Sequence, residues 1–270
     1  MNTISNIKKT SIGIIGGSGF YDLVSGLKEI KVNTPYGPPS EKLGIGTVAG
    51  QKIVFLPRHN KTHDIPPHKI NFRANIWALH FLGVNHIITV TAVGSLQEKY
   101  HPGSFLVIDQ FIDKTKRRND TFYDGPIVRH VSCAYPYCPQ IGKLAYRQGN
   151  RMGLDIYSKG TVVIIQGPRF STAAESTWFS QMGWDAVNMT QYPEVILAKD
   201  LQIGYTAIAL VTDYDAGLDG AKIKPVNTAE VVRIFNKSIP KAKKLILSMI
   251  KNWPKRMTCE CGRSLEGARF

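Results

Sequence analysis

A chain of 270 residues that is 43% hydrophobic can bury a substantial core, which excludes a mainly disordered protein and allows one large α/β domain or two small ones. Its apolar runs are broken by Gly, Thr or a charge well short of a bilayer's thickness, and no apolar stretch follows the lysines of residues 1–9, so a soluble cytoplasmic protein without a membrane partner is expected. A formal net charge of +14 raises nucleic-acid binding, but the basic residues are dispersed, and the densest groups, 114–118, 241–244 and 251–256, do not alternate with aromatics as a stacking platform would. A solvated basic surface accounts for the charge, and no specific nucleic-acid partner is expected.

Short β-branched runs alternate with helical patterns along the chain. A strand over Ile12–Ile15 runs into Gly16-Gly17-Ser18-Gly19, where backbone N–H groups and the Ser18 hydroxyl can meet an anion, although a plain tight turn explains the glycines equally. A second strand, Lys52–Leu56, ends on Pro57-Arg58-His59; Arg offers a planar fork suited to phosphate, and His a second donor. Helical spacing covers Lys69–Leu82, with Gly83 as its stop. The strand His86–Val90 continues into Thr91, Ala92, Gly94 and Ser95, a third strand end with anion donors and no carboxylate nearby. Strands Phe105–Ile108 and Thr161–Ile165 precede a helix over Thr172–Met182.

Val187–Thr190 reads as strand and loop, with helix entry at Pro193-Glu194; Thr190 offers a hydroxyl and Met189 a soft apolar surface for a sugar. The most apolar strand, Thr206–Thr212, closes on Asp213-Tyr214-Asp215, two carboxyls at a buried mouth that suit general-acid chemistry or a structural turn. Asn227 caps a last helix with Glu230 three residues on, Pro240 is expected to kink or end it, and the pattern resumes as far as Trp253. Residues from Pro254 read as an extended or loosely attached tail. Strands apolar on both faces predict a single α/β domain, a central mixed, twisted sheet flanked by helices.

Four cysteines, Cys133, Cys138, Cys259 and Cys261, form C-x4-C and C-x-C pairs that fit no four-cysteine zinc spacing, so no metal is expected. Cys259 and Cys261 either close a strained small disulfide ring or remain free thiols on the tail.

In order along nearly the whole chain, IGIIGGSGFYD from Ile12, PRH from Pro57, PPHKINFRANIWAL from Pro66, AVGSL from Ala92, DQFID from Asp109, HVS from His130, GPRFST from Gly167, NMTQYPEVILAK from Asn188 and TDYD from Thr212 resemble the trimeric nucleoside phosphorylase family, which includes purine nucleoside and 5'-methylthioadenosine phosphorylases. The resemblance implies a nucleoside phosphorylase domain over 1–253 and a tail over 254–270. It implies phosphate binding by Ser18, Arg58, His59, Thr91, Ala92 and Thr190, ribose contact by Met189, and a purine site of Phe170, Ser171, Asp213 and Asp215, the two aspartates being catalytic. Val226 falls where the family receives the 5' substituent.

The implied reaction is phosphorolysis of 5'-methylthioadenosine to adenine and 5-methylthioribose 1-phosphate in purine and methionine salvage; the alternative is a purine nucleoside phosphorylase acting on inosine, guanosine, adenosine or methylthioinosine. Inorganic phosphate is the co-substrate, no metal or organic cofactor is implied, and a homotrimer or homohexamer is the implied assembly. The C-x-C tail resembles an archaeal subgroup with disulfides, which implicates Cys259, Cys261 and Cys138. Departures from the family pattern stand at Asn60, where Gly is usual, at Gln166, where Glu is usual, and at Ala216-Gly217-Leu218 after TDYD.

Overall fold

The computed structural model describes residues 12–17, 19–20, 23, 26–218 and 226–269. Its centre is a pair of long parallel strands, β5 (His86–Ser95) and β11 (Gly204–Asp213), in register from His86 with Gly204 to Gly94 with Asp213. On the other edge of β5 lies β1 (Ile12–Gly16), parallel to it and to β4 (Gln51–Pro57). Beyond β4 the antiparallel strands β3 (Leu43–Val48) and β2 (Lys28–Ile30) complete that side. The far end of β5 turns to pair with β10 (Ala186–Asn188), which leads to β9 (Thr161–Ile165) and β7 (Gln110–Lys114). On the free edge of β11 run β6 (Phe105–Ile108) and the short β8 (Ile156–Tyr157). The sheet is therefore mixed, as the uninterrupted apolar runs require.

Alternate residues of the central strands enter two separate cores. Ala207, Ala209 and Val211 face α1 (Phe72–Phe81) and α4 (Gln191–Asp200), where Ile76, Leu79, Val195 and Leu197 are fully buried. Ile208 and Leu210 face α2 (Pro139–Arg151) and α5 (Thr228–Lys251), where Leu144, Leu245, Ile246 and Met249 pack. A smaller cluster joins Leu96, Val163, Ile165 and Val187 to Phe179 of α3 (Ala173–Gln181), whose start is fixed by the reciprocal Thr172 and Glu175 cap. Among the described residues no helix is long and apolar enough to cross a membrane.

Three expectations change. The helix expected from Lys69 begins instead at Phe72, because the Asn71 side chain accepts from the Ala74 N–H at 3.1 Å and caps it there, behind a separate 3-10 turn over Pro67–Lys69. Pro240 does not end its helix: α5 runs on to Lys251, held across the missing N–H by the burial of Ile239, Ala242, Leu245 and Ile246 on the sheet. The tail is docked rather than loose. Gln140 accepts from the Thr258 and Cys259 N–H groups at 2.7 and 3.2 Å, Gln202 donates to the Gly262 carbonyl at 2.7 Å, and the Ala268 carbonyl accepts from His130 N–H at 2.8 Å.

Helix α2, absent from the expected elements despite Pro139 at its first position and an apolar face of Ile141, Leu144 and Ala145, contains two interior glycines with opposite burdens. A Cβ at Gly142 would make ordinary contact with Val107 at 3.4 Å, whereas one at Gly149 would meet Ile156 at 2.7 and 2.9 Å. Gly142→Ala is expected to hold or raise stability by up to about 1 kcal/mol. Gly149→Ala is expected to lower it by about 1–3 kcal/mol through overpacking, both read by denaturant titration.

Candidate active site

The carboxyl ends of β1, β4, β5 and β11, the residues after β9 and β10, and one face of α5 enclose a cavity of about 400 Å³, within the range that takes a small organic ligand. Arg58, His59, Thr91, Ala92, Met189, Thr190, Phe170, Asp213 and Asp215 line it together. Ser18 lies outside the described residues, beside Gly17, which is part of the wall.

The Arg58 end is not free of carboxylates, contrary to expectation. Arg58 and Glu194 are both buried and pair through two bonds of 2.8 Å, Nε to Oε2 and Nη2 to Oε1. Nη2 also donates to Thr89 Oγ1, and Nη1 reaches the Val90 carbonyl at 3.4 Å. The five guanidinium hydrogens are thus spent except for one on Nη1, in a fork whose direction Glu194 sets. Tyr205 donates its hydroxyl to Glu194 and completes the buried network.

His59 is held differently from the simple donor expected. Its Nδ1 lies 2.8 Å from the Ile65 carbonyl, which requires the proton on Nδ1 and leaves the lone pair on Nε2. Burial, then the neighbouring Arg58 charge, bring its pKa down to about 4, so the ring is neutral at physiological pH. Such a ring accepts from a ligand hydroxyl.

Asn188 organises the opposite wall. Its Nδ2 donates to Thr91 Oγ1 at 2.8 Å and to the Ala92 carbonyl at 3.0 Å, while its Oδ1 accepts from the Thr190 and Gln191 N–H groups at 2.7 and 2.9 Å. With Asn188 donating to it, the Thr91 oxygen is an acceptor there, and its own hydrogen has only a 3.4 Å contact to the Ala92 carbonyl, so it remains available to an anion.

At the other end sit the aspartates. Asp213 accepts from the Thr212 hydroxyl at 2.6 Å and the Asp215 N–H at 2.8 Å, yet burial outweighs both and raises its pKa to about 6. Asp215, at φ 50°, is likewise raised by burial, against the nearby Ser171 and Ser176 hydroxyls, and its Oδ2 is buried without a hydrogen-bond partner. Asp215 lines the cavity with other atoms, so a turn of its carboxyl is what would bring this unpaired acceptor to a ligand N–H. Gly94 makes this approach feasible, since a Cβ there would lie 2.9 Å from Asp213 Oδ1 and 3.1 Å from Asp215 Cα. Gly167, at φ 62°, plays the same part under Met189, whose sulfur would be 2.6 Å from an added Cβ.

Ser171 is set behind Asp215 rather than in the wall, and Val226 is not a lining residue; its N–H donates to the Asp215 carbonyl at 2.8 Å. The apolar wall comes from α5 instead, through Val231, Val232 and Phe235. Of the family departures, Asn60 keeps the left-handed turn at φ 62° that a glycine would adopt, its side chain accepting from the N–H groups of Thr62 and Asp64. Gln166 accepts from the Lys116 N–H at 3.0 Å, outside the cavity. All four cysteines are free thiols in this structure, and the three that the resemblance implicates in disulfides, Cys138, Cys259 and Cys261, lie together.

The sequence profile of the Phosphorylase superfamily matches residues 11–251. An S-methyl-5'-thioadenosine phosphorylase of Thermofilum pendens is 49% identical over 97% of this chain and 99% of its own length. That of Saccharolobus solfataricus is 49% identical over 98% and 99%, and a purine nucleoside phosphorylase of Streptomyces coelicolor is 42% identical over 98% and 97%. Among solved structures, methylthioadenosine phosphorylase from Schistosoma mansoni in complex with adenine superposes with a TM-score of 0.90 at 35% identity, covering 97% of this chain and 99% of that one. A mutant of the Schistosoma enzyme in complex with methylthioadenosine gives 0.88 at 37%, with the same coverage. With the profile spanning nearly the whole chain and these identities beside it, the protein belongs to the Phosphorylase superfamily.

Proposed function

We propose that the protein cleaves the N-glycosidic bond of 5'-methylthioadenosine with inorganic phosphate, releasing adenine and 5-methylthioribose 1-phosphate. The observation that carries the reading is one cavity with donors for an anion at one end and a buried carboxyl of raised pKa at the other. Cleavage builds positive charge at C1' and negative charge on the purine, so it needs an anion beside the sugar and a proton donor beside N7. Phosphate held by Arg58, Thr91 and Thr190 attacks C1' through an oxygen; the bond to N9 breaks and its electron pair moves into the purine. Hydrogen phosphate donates its O–H to His59 Nε2, which fixes which oxygens face the sugar. Asp213, protonated, passes its proton to N7, and the Asp215 carboxylate, turned so that its unpaired oxygen meets the cavity, accepts from the 6-amino group. A 6-oxo group would leave that oxygen unpaired, which favours adenine. The apolar wall of Val231, Val232 and Phe235 suits a methylthio group better than a hydroxyl, and the names of the most similar relatives support the same substrate.

Assembly as a homotrimer or homohexamer belongs to this reading, supported by large apolar side chains left half exposed at Ile127, Val128, Trp178 and Met182. Light scattering reads it directly.

Base release from methylthioadenosine, adenosine and inosine, measured with and without phosphate, is expected to depend on phosphate and to favour methylthioadenosine. Equal rates without phosphate, or a preference for inosine, would overturn the assignment. Glu194→Gln is expected to raise the KM for phosphate and, by leaving Arg58 buried with a neutral partner, to cost several kcal/mol of stability, at most about 3–5.

Asp213 gives two linked outcomes. Because kcat/KM for the nucleoside reports the enzyme form that the nucleoside meets, it is expected to fall as pH rises through about 6, the pH at which Asp213 loses its proton, and Asp213→Asn is expected to lose that limb. The folded pKa lies above the ordinary 3.8, so this carboxyl favours the fold most below pH 4 and loses that contribution as pH rises through about 6. Asp213→Asn is therefore expected to gain about 2 kcal/mol more stability at pH 7 than at pH 4 in denaturant titrations; an equal effect at both would show that the carboxyl is not held neutral by burial.

A further inference from the structure

His86 and Gly204 begin β5 and β11, at the end of the two strands away from the cavity, and a different chemistry gathers there. His86, Cys138, Cys259 and Cys261 bring one nitrogen and three sulfurs to within 4.8 Å of one another. They come from three separate places: the first residue of β5, the residue that caps α2, and the docked tail. Cys138 is buried and all three thiols are free. We propose that these four side chains form a tetrahedral site for a thiophilic divalent cation, zinc foremost, which staples the tail to the sheet.

The donor set is that of a closed structural zinc site, three thiolates and one imidazole. With zinc–sulfur bonds of about 2.3 Å, sulfurs at the corners of a tetrahedron lie about 3.8 Å apart, so a contraction of about 1 Å at most brings the four atoms onto an ion. The surroundings are arranged for ligation. His86 Nδ1 lies 3.3 Å from Asn85 Oδ1, so the ring hydrogen goes to the amide oxygen and Nε2, 3.5 Å from Cys259 Sγ, faces the sulfurs. A Cβ at Gly204 would be 2.4 and 2.6 Å from the His86 ring and 3.3 Å from Cys261 Cβ, so only glycine admits the ring and the tail together. Gln140, in the first turn of α2, holds Cys259 through its N–H, and Trp253 stands edge-on to His86 at 6.0 Å. Binding requires no redox partner: the cation replaces the thiol protons, which leave to solvent. The rival use of the same sulfurs is a disulfide between two of them.

The test uses the full chain, reduced with a phosphine under anaerobic conditions and titrated with cobalt(II), then zinc(II). One equivalent of cobalt is expected to give the intense visible bands of a tetrahedral ion and a thiolate charge-transfer band, both abolished by one equivalent of zinc. Cys138→Ser, Cys259→Ser and Cys261→Ser are each expected to weaken binding by roughly a hundredfold or more, and Asn85→Ala, which keeps every ligand, by roughly 10- to 100-fold; Cys133→Ser, on an exposed thiol, leaves it unchanged. Retention of phosphorolysis marks the variants that fold, and Asn85→Ala serves if a cysteine variant does not. Zinc at roughly a thousandfold its dissociation constant is expected to raise Tm by on the order of 10 °C. Three results would each overturn the site: no stoichiometric tetrahedral spectrum from the reduced chain, a spectrum that survives loss of both Cys259 and Cys261, or a Cys259–Cys261 disulfide that forms in excess zinc in preference to the metal.

Discussion

The buried pair of Arg58 and Glu194 is the constraint to which the catalytic end of the molecule is tied. Neither charge reaches solvent, and either alone would be intolerable there, so the elements that carry them must meet. Arg58 follows β4, its backbone N–H donates to the Gly16 carbonyl at the end of β1, and its fork touches Thr89 and Val90 of β5; Glu194 rides on α4 and accepts from Tyr205 of β11. The two residues thereby gather four strands and one helix around the cavity. If phosphate is held here as proposed, the partner would also temper the site: a guanidinium compensated by Glu194 offers a directed hydrogen with less net charge than a lone one, which leaves a bound anion freer to react.

At the base end the fold accepts a cost for the same purpose. Burial raises Asp213 to a pKa of about 6, and Asp215 keeps an unpaired oxygen, both unfavourable in the empty protein. Gly94 is what allows it, since any side chain there would push both aspartates away from β5. In the proposed reaction a purine that met the unpaired Asp215 oxygen and the neutral Asp213 carboxyl would relieve both costs, so destabilisation of the free site and selectivity for the base would come from one arrangement.

How much of this is legible in the sequence follows from the range of each signal. Strands β1, β4, β5, β6, β9 and β11 announce themselves as uninterrupted apolar runs, and the strand-end residues Arg58, His59, Thr91, Thr190 and Asp213 stand out by type and position. Helix α2 is legible too, though absent from the expected elements: Pro139 stands at its first position and Ile141, Leu144, Ala145 and Gln148 line one face, and only the interior glycines Gly142 and Gly149 argue against it, Gly149 for its contact with Ile156, a long-range fact. Glu194 looks like a helix-entry residue until the fold sets it against Arg58, and Asn188 looks like strand until both its amide groups are seen to bridge β5 and α4. Val226 is the converse, a residue of fitting type whose place in the wall is taken by α5. Spacing reasoning also looks for metal ligands near one another in the chain, and cannot find His86 beside Cys259, 173 positions away.

Strands β5 and β11 therefore carry two sites, one at each end. Their carboxyl ends open into the cavity, where groups must stay movable, charged or unpaired to do chemistry; their amino ends are closed by α2 and the tail, where thiols and an imidazole converge. From Gly204, level with His86, to Asp213 is nine residues, roughly 30 Å along an extended strand, so distance alone leaves a charge at one end with little influence on the other. A rigid staple at the amino end can thus stiffen the pair of strands without perturbing the pKa of Asp213. Stability is placed where no reaction occurs, and the destabilised groups are confined to the end where phosphate and base arrive.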